Sequence, residues 1–554
     1  MIVIKKTAIL FCLFTFFYAS SQSSTTLVNQ LSNELQVVEN IKTKISQTVK
    51  EIQPGLLQLE ITYTNIKDGK SSVESYEFNM ADIDLNTIRS FTNKDVIQVQ
   101  LLASKKQKVI KITTENTKIK FDEEVFVYAK NIDNARSLVD IFKALVPVST
   151  EIVEKRLSLK TFQDHIDWLV NNVKSVTLLN KQFVQKATQN PKFPSKLEFS
   201  VDEVANQKST NYTYVFNLAN INTNSIFAEV KGDFIIINLE TKRKLKTIKS
   251  LVATEQKDYK SSFTIYCESI EKSRDLQKVL KGAIALAEDK IEAAVPKIKN
   301  VNEGLTAINN TIKTVTINDF SYSQSISGDC VATINLKEST PSKVTEEQFS
   351  LNFKDLAKNL IKYDTDGKSV YVELKTKGAY KFLKHIVNQE LKNYTNSVIF
   401  EFSEVEDAII AAKIFENIID KCDNVETKLV GSKKELLVQA QNAIKKVDIN
   451  NLTYEQSLTI QDNNILLFKC TEVTAKSSKS RVYEFNMKDI NPVNLSFDTS
   501  GTSVYVTLNT NYSEKIIKYY EDGAIKIYQN SLDIHASSIE EARLIADLFK
   551  KIVE

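Results

Sequence analysis

Histidine is nearly missing from this chain, with three among 554 residues. His165 sits between Asp164 and Asp167, His385 follows Lys384, and His535 lies in an alternating apolar stretch, so no two share a setting. Such isolated imidazoles read as surface or core residues rather than ligands or bases. H-E-x-x-H, G-x-S-x-G, the phosphate-binding P-loop and G-x-G-x-x-G are all absent, which argues against hydrolase, kinase and dehydrogenase chemistry. A carboxylate pair gathered by the fold stays open. Glycine and proline are also scarce, 11 and 7 residues, which excludes collagen-like, flexible-linker and Pro-rich segments. Past its first 21 residues the chain has four cysteines, Cys267, Cys330, Cys422 and Cys470. They lack C-x-x-C spacing and are too few to frame so long a chain, so they are expected to be buried thiols, with neither metal nor redox role. No cofactor is expected.

Long apolar runs are missing except at the start. Lys5 and Lys6 precede the apolar stretch Thr7 to Tyr18, and Ala19-Ser20-Ser21 offers small residues before Gln22. That is the pattern of a cleaved signal peptide over 1–21. The run is too short to span a bilayer, and Leu10 and Phe11 before Cys12 do not suit lipid attachment. The remaining chain is expected to be exported, without a transmembrane segment, and periplasmic rather than extracellular. Removing the leader leaves 70 basic against 69 acidic residues, so no overall field favours nucleic acid.

What the chain does have is internal repetition, the feature to seek first because it decides the fold. Four blocks, 76–146, 214–284, 349–419 and 483–553, align without a gap. Each opens on an aromatic-x-apolar-Asn signature ending at Asn79, Asn217, Asn352 or Asn486, followed three residues on by Asp82, Asn220, Asp355 or Asp489. Each then carries Lys-x-x-Lys: Lys108 and Lys111, Lys246 and Lys249, Lys381 and Lys384, Lys515 and Lys518. A small helix residue closes the register at Ala135, Ser273, Ala408 and Ala542.

Period gives the elements. VIQVQLL, FIIINLE, VYVELKT and VYVTLNT read as strands, preceded in three copies by Lys231-Gly232, Asp366-Gly367 and Ser500-Gly501, which suit tight turns. VFVYA, FTIYC, VIFEF and LDIHA form a last strand. Ile539, Ala542, Ile545, Ala546, Phe549, Ile552 and Val553 make one helical stripe, started by Ser538 and Glu541. A helix-and-strand lead-in precedes each block, giving repeats over 22–147, 148–295, 296–421 and 422–554. The expected class is α+β, with four tandem repeats. Each would be an antiparallel barrel or sandwich of about seven strands, closed by its C-terminal amphipathic helix and joined to the next by a lead-in helix.

Seven strands capped by one helix, as in LTYEQSLTI, ILLFKCTEV, RVYEFNM, NLSFDTS, SVYVTLNT, KIIKYYED and AIKIYQNSLDIHAS, resemble the pleckstrin-homology-like superfold. That resemblance implies a binding or scaffolding module. The basic first hairpin of its inositol-lipid-binding members is replaced here by Gln461-Asp-Asn-Asn464. The expected function is therefore a non-catalytic protein of the cell envelope that engages a protein or anionic envelope polymer. Its alternative is a small-ligand carrier using the junctions between repeats, with an envelope-acting enzyme third. The eight repeated lysines are the candidate surface, although residues three apart on a strand face opposite ways, and KFLKHIVNQELK leaves a helix possible there. The recurrent Asn is expected to cap a turn, and Asp364-Thr-Asp366-Gly367 with Glu373 to form a hairpin rather than a calcium loop.

Overall fold

The computed structural model describes residues 23–554 apart from 115–117, 179–180, 207, 233, 313, 318, 424–428, 462–463 and 522. The leader at 1–21 and the middle of the Gln461–Asn464 loop lie outside the described residues. Among those described, no helix is long and apolar enough to cross a membrane.

The first group shows the plan. Helix α1 (Ser24–Glu34) leads into β1 (Val38–Glu39), β2 (Thr43–Gln53), β3 (Leu56–Asn65) and β4 (Ser71–Asn79). Then come β5 (Arg89–Asn93), β6 (Val96–Leu102), β7 (Ile110–Thr114), β8 (Ile119–Asp122), β9 (Glu124–Ala129) and the closing helix α2 (Ile132–Arg156). The strands form two antiparallel sheets, one in the order β1-β2-β3-β4-β7-β8 and one in the order β5-β6-β9. The same two orders recur in the three later groups. Alternation drives this: in Ser369–Lys375 every second residue (Val370, Val372, Leu374) is buried, the period of a half-buried strand. Gly232, Gly367 and Gly501 turn the hairpins with φ of 61°, 57° and 59°, a region that costs glycine least.

One core serves both sheets and both helices. In the first group Leu57, Ile61 and Phe78 come from the large sheet, Val99, Leu101 and Val127 from the small one, and Leu31, Leu138 and Phe142 from the helices. Full burial of each such side chain is worth about 1.5–3 kcal/mol. The fourth group repeats this, its helix Ile539–Val553 burying Ile539, Ala542, Ile545, Ala546, Leu548, Phe549 and Ile552. Ser538 accepts from the Glu541 N–H as expected, while the Glu541 carboxylate takes the N–H of Ser537 instead of Ser538.

Several expectations need correction. The sheets are open, so there is no barrel, and the strands number nine per group. The segment AIKIYQNSLDIHAS, taken as one strand, is two: Ala524–Gln529 borders the large sheet and Ser531–Ala536 borders the small one. The chain changes sheets at Asn530, whose carbonyl accepts from the backbone N–H and hydroxyl of Thr510. Thr241 and Thr376 hold the same corner at Ser261 and Asn396. The first lead-in, whose stretch LVNQLSNELQVVENIKTKISQTVKEI suggested helix throughout, turns to strand: β2 covers Thr43–Gln53 and pairs with β3, with Ile45 and Gln47 buried on one face.

The chain divides into two compact units, Met1–Lys290 and Ile291–Glu554, each with two sheet groups.

Candidate binding interface

The recurrent Asn caps a turn in every group. Asn79, Asn217, Asn352 and Asn486 each accept, through Oδ1, the N–H two residues on, at the start of a 3-10 turn. In two groups the same side chain does more. Asn79 donates from Nδ2 to Glu271 at 3.4 Å, and Asn352 donates to Glu540 at 3.0 Å. Three residues on, Asp82 is held by Arg274, with Nε–Oδ1 at 3.0 Å and a second bond from Nη2. Asp355 is held by Arg543 with both oxygens, at 2.7 and 2.6 Å.

Within each unit, therefore, the turn of the upstream group is clasped by the first turn of the downstream group's closing helix. The two clasps use equivalent positions. Glu271 and Arg274 also pair with each other at 2.6 Å, and Arg156 joins the network at 3.5 Å from Glu271. Burial pushes the Asp82 and Asp355 carboxyls above their ordinary range even though a guanidinium faces each. The Arg274 fork grips Asp82 through Nε and Nη2, a pairing that fixes direction and register, whereas Arg543 reaches both Asp355 oxygens through Nη2 alone.

Apolar contacts flank each clasp. In the second unit Phe382 stacks on Phe497 at 4.9 Å, and the Arg543 guanidinium lies 5.1 Å over that ring. Tyr394 is 4% exposed within the core of the fourth group, and its N–H donates to Gly501. The first unit has Val109, Phe121 and Asn79 facing Ile235, Ile270 and Glu271. Beside them opens a cleft of about 750 Å³, lined by Lys105, Lys106, Lys108 and Lys281, by the carboxylate residue Glu229, and by apolar residues including Ile226, Phe227 and Val109.

The eight candidate lysines follow one rule. The first of each pair, Lys108, Lys246, Lys381 and Lys515, is exposed, and the second, Lys111, Lys249, Lys384 and Lys518, is half-buried on a strand. Lys111 faces Glu77 at 3.4 Å and Lys518 faces Glu484 at 2.6 Å across the ladder. The helical alternative for KFLKHIVNQELK gives way to strands Lys384–Val387 and Glu390–Leu391. Of the eight lysines, Lys108 lines the basic cleft.

The other singled-out residues are structural. His165 is 8% exposed, bonds the Thr161 carbonyl at 2.8 Å through Nδ1 and presses on Gly282, where a Cβ would lie 2.3 Å from Nε2. His385 stacks on Phe349, and His535 on Tyr454. Asp364 and Glu373 pair with Lys362 and Lys375 in the hairpin, and among the described residues no cluster of His, Cys, Asp or Glu could hold a metal. Cys267 and Cys470 are buried thiols, burial pushing them up to about 12 and about 11. Cys330 and Cys422 are not thiols. They form a disulfide with Cα atoms 5.5 Å apart, a correction that 92 residues of separation hid from the sequence.

Arg274 and Arg543 are the residues that sequence reasoning missed. A signal was present: counted from the block start, the position of Arg274 and Arg543 is Arg136 in the first copy and Ile409 in the third. The copy with Asn220 in place of Asp is the one that precedes Ile409. Among known proteins, no family model matches this chain, and no curated protein matches it either.

Proposed function

We propose that this is an exported, non-catalytic binding or scaffold protein of the bacterial cell envelope, built by duplication of one PH-like module into four. It engages an anionic envelope polymer or an acidic protein surface. The observation that carries the reading is the cleft of the first unit, where Lys105, Lys106, Lys108 and Lys281, against the single carboxylate Glu229, line the same cavity as Val109, Ile226 and Phe227. Clustered ammonium groups offer charge to an extended anion, and the wall supplies desolvated contact. Export is supported by the Cys330–Cys422 disulfide, since such bonds persist in oxidising compartments and are rare in the reducing cytosol.

The test is titration with a soluble uronate-containing polysaccharide at rising salt. Binding should weaken as salt increases, and Lys105→Glu with Lys106→Glu and Lys281→Glu should weaken it at least tenfold. Equal binding by that variant would refute the reading. A small-ligand carrier is the second reading, because a cleft of about 750 Å³ falls within the usual range for ligand sites. A compact monomeric anion that competes at equal molarity with the polymer would favour it.

A further inference from the structure

The clasp has two halves, and each occurs once more without its mate. The helix half is Ile132, Asp133 and Arg136 in the first group, at the positions of Ile270, Glu271 and Arg274, and of Ile539, Glu540 and Arg543. The turn half is Asn486 and Asp489 in the fourth group, at the positions of Asn79 and Asp82, and of Asn352 and Asp355.

Exposure separates these two from the joined copies. Ile132 is 61% exposed, whereas its counterpart Ile539 is 7%. Among the described residues Arg136 pairs only with its own neighbour Asp133, and both side chains stand well out in water. Strand β5 beside them is exposed along its whole length, whereas the equivalent Ser496–Ser500 carries Phe497 stacked on Phe382. On the turn half, Asp489 has no ion pair among the described residues. Around it Ile516 is 39% exposed and Tyr528 48%, whereas their counterparts Val109 and Tyr394 are 7% and 4%. Ile525 and Ile527, on the same strand as Tyr528, are 46% and 49% exposed. Both faces keep the apolar and charged pieces of the joint.

We propose that copies of this chain associate head to tail, the Asn486–Asp489 turn of one docking on the Ile132–Arg136 helix start of the next. The occupant is a second copy because the chain itself shows what this surface takes. Asp489 would meet Arg136 as Asp82 meets Arg274, and Tyr528 would enter the next copy as Tyr394 enters the fourth group. A joint between two different surfaces is heterologous, and it grows into a ring or a filament instead of stopping at a symmetric pair. The proposal stands on the joint alone and does not depend on the polymer-binding reading.

Sedimentation velocity of the full chain, expressed with its own leader and purified, tests it. Species larger than a dimer should appear as concentration rises. Asp489→Arg and Arg136→Asp should each lose them, while circular dichroism and the unfolding temperature stay as in the unaltered chain. Mixing the two variants should bring the large species back, because each then supplies the charge the other lacks. Tyr528→Ser should weaken assembly without touching the charge pair. A chain that remains monomeric throughout, or an assembly that survives both charge reversals, would overturn the proposal.

Discussion

Asp82 and Asp355 are carboxylates held away from water by the groups packed over them, each satisfied by one guanidinium. The side chains of Asp82 and Arg274 are only 19% and 15% exposed. Removing charge from water costs several kcal/mol per ion, so such a pair adds little net stability but is expensive to break from one side. Arg274→Ala and Arg543→Ala should therefore each cost about 3 kcal/mol, read as a fall in denaturant midpoint. Arg136→Ala, at the matching exposed position, should leave the midpoint of dilute protein unchanged. The Asn half of the clasp was legible in the sequence because capping is local: Asn79 Oδ1 meets a backbone N–H two residues away. The Arg half was not, because Asp82 and Arg274 are 192 residues apart and lie in different copies.

A second prediction at this scale concerns His535. Burial against Tyr454 lowers its pKa, and Arg481 adds slightly to that, while Asp533 and Glu472 pull the other way. Folded protein thus refuses a proton that the unfolded chain accepts. Its contribution is intact above the ordinary imidazole value, near 6.5, and is lost as pH falls toward the lowered folded value. His535→Phe keeps a ring for the stack and should flatten that stretch of the stability-against-pH curve. An unchanged slope would assign the acid sensitivity elsewhere.

At the scale of elements, the strands with strict alternation and the closing helix were readable, because period reports which face is buried. Strand count was not. A single residue such as Asn530 carries the chain between sheets, and in AIKIYQNSLDIHAS the break shows merely as a slip in phase, from Ile525 and Ile527 to Leu532, Ile534 and Ala536. The disulfide was also silent, because connectivity depends on which elements meet. Cys330 lies in the turn between strands Phe320–Gly328 and Val331–Ser339, and Cys422 in the last turn of helix Val405–Asp423. The bond therefore pins the closing helix of the third group to a hairpin of its own large sheet, across 92 residues. Cross-linking so long a loop removes much freedom from the unfolded chain. Cys330→Ala with Cys422→Ala should cost about 2–5 kcal/mol, and reduction of the unaltered chain should lower its unfolding temperature similarly. Equal stability of oxidised and reduced protein would remove the bond from the account of this group.

At the scale of the whole molecule, the sequence carries four similar copies, and the structure has two compact units of two groups each. What the copies share, apolar period and turn residues, builds a group. What distinguishes them, Asn220 and Ile409 against Asp and Arg elsewhere, bears on how groups are joined, and a consensus reading averages that away. Each unit has its own clasp, Asp82–Arg274 in the first and Asp355–Arg543 in the second, and among the described residues only the second contains a disulfide. Chains with more than one cooperative unit depart from two-state unfolding. Calorimetry should accordingly resolve two transitions. Arg274→Ala should lower one and leave the other in place, Arg543→Ala should do the reverse, and a reductant should move only the transition sensitive to Arg543. A single transition displaced equally by both substitutions would mean that the clasps stabilise one body, and pairing of groups would then lose its standing as the organising level of this chain.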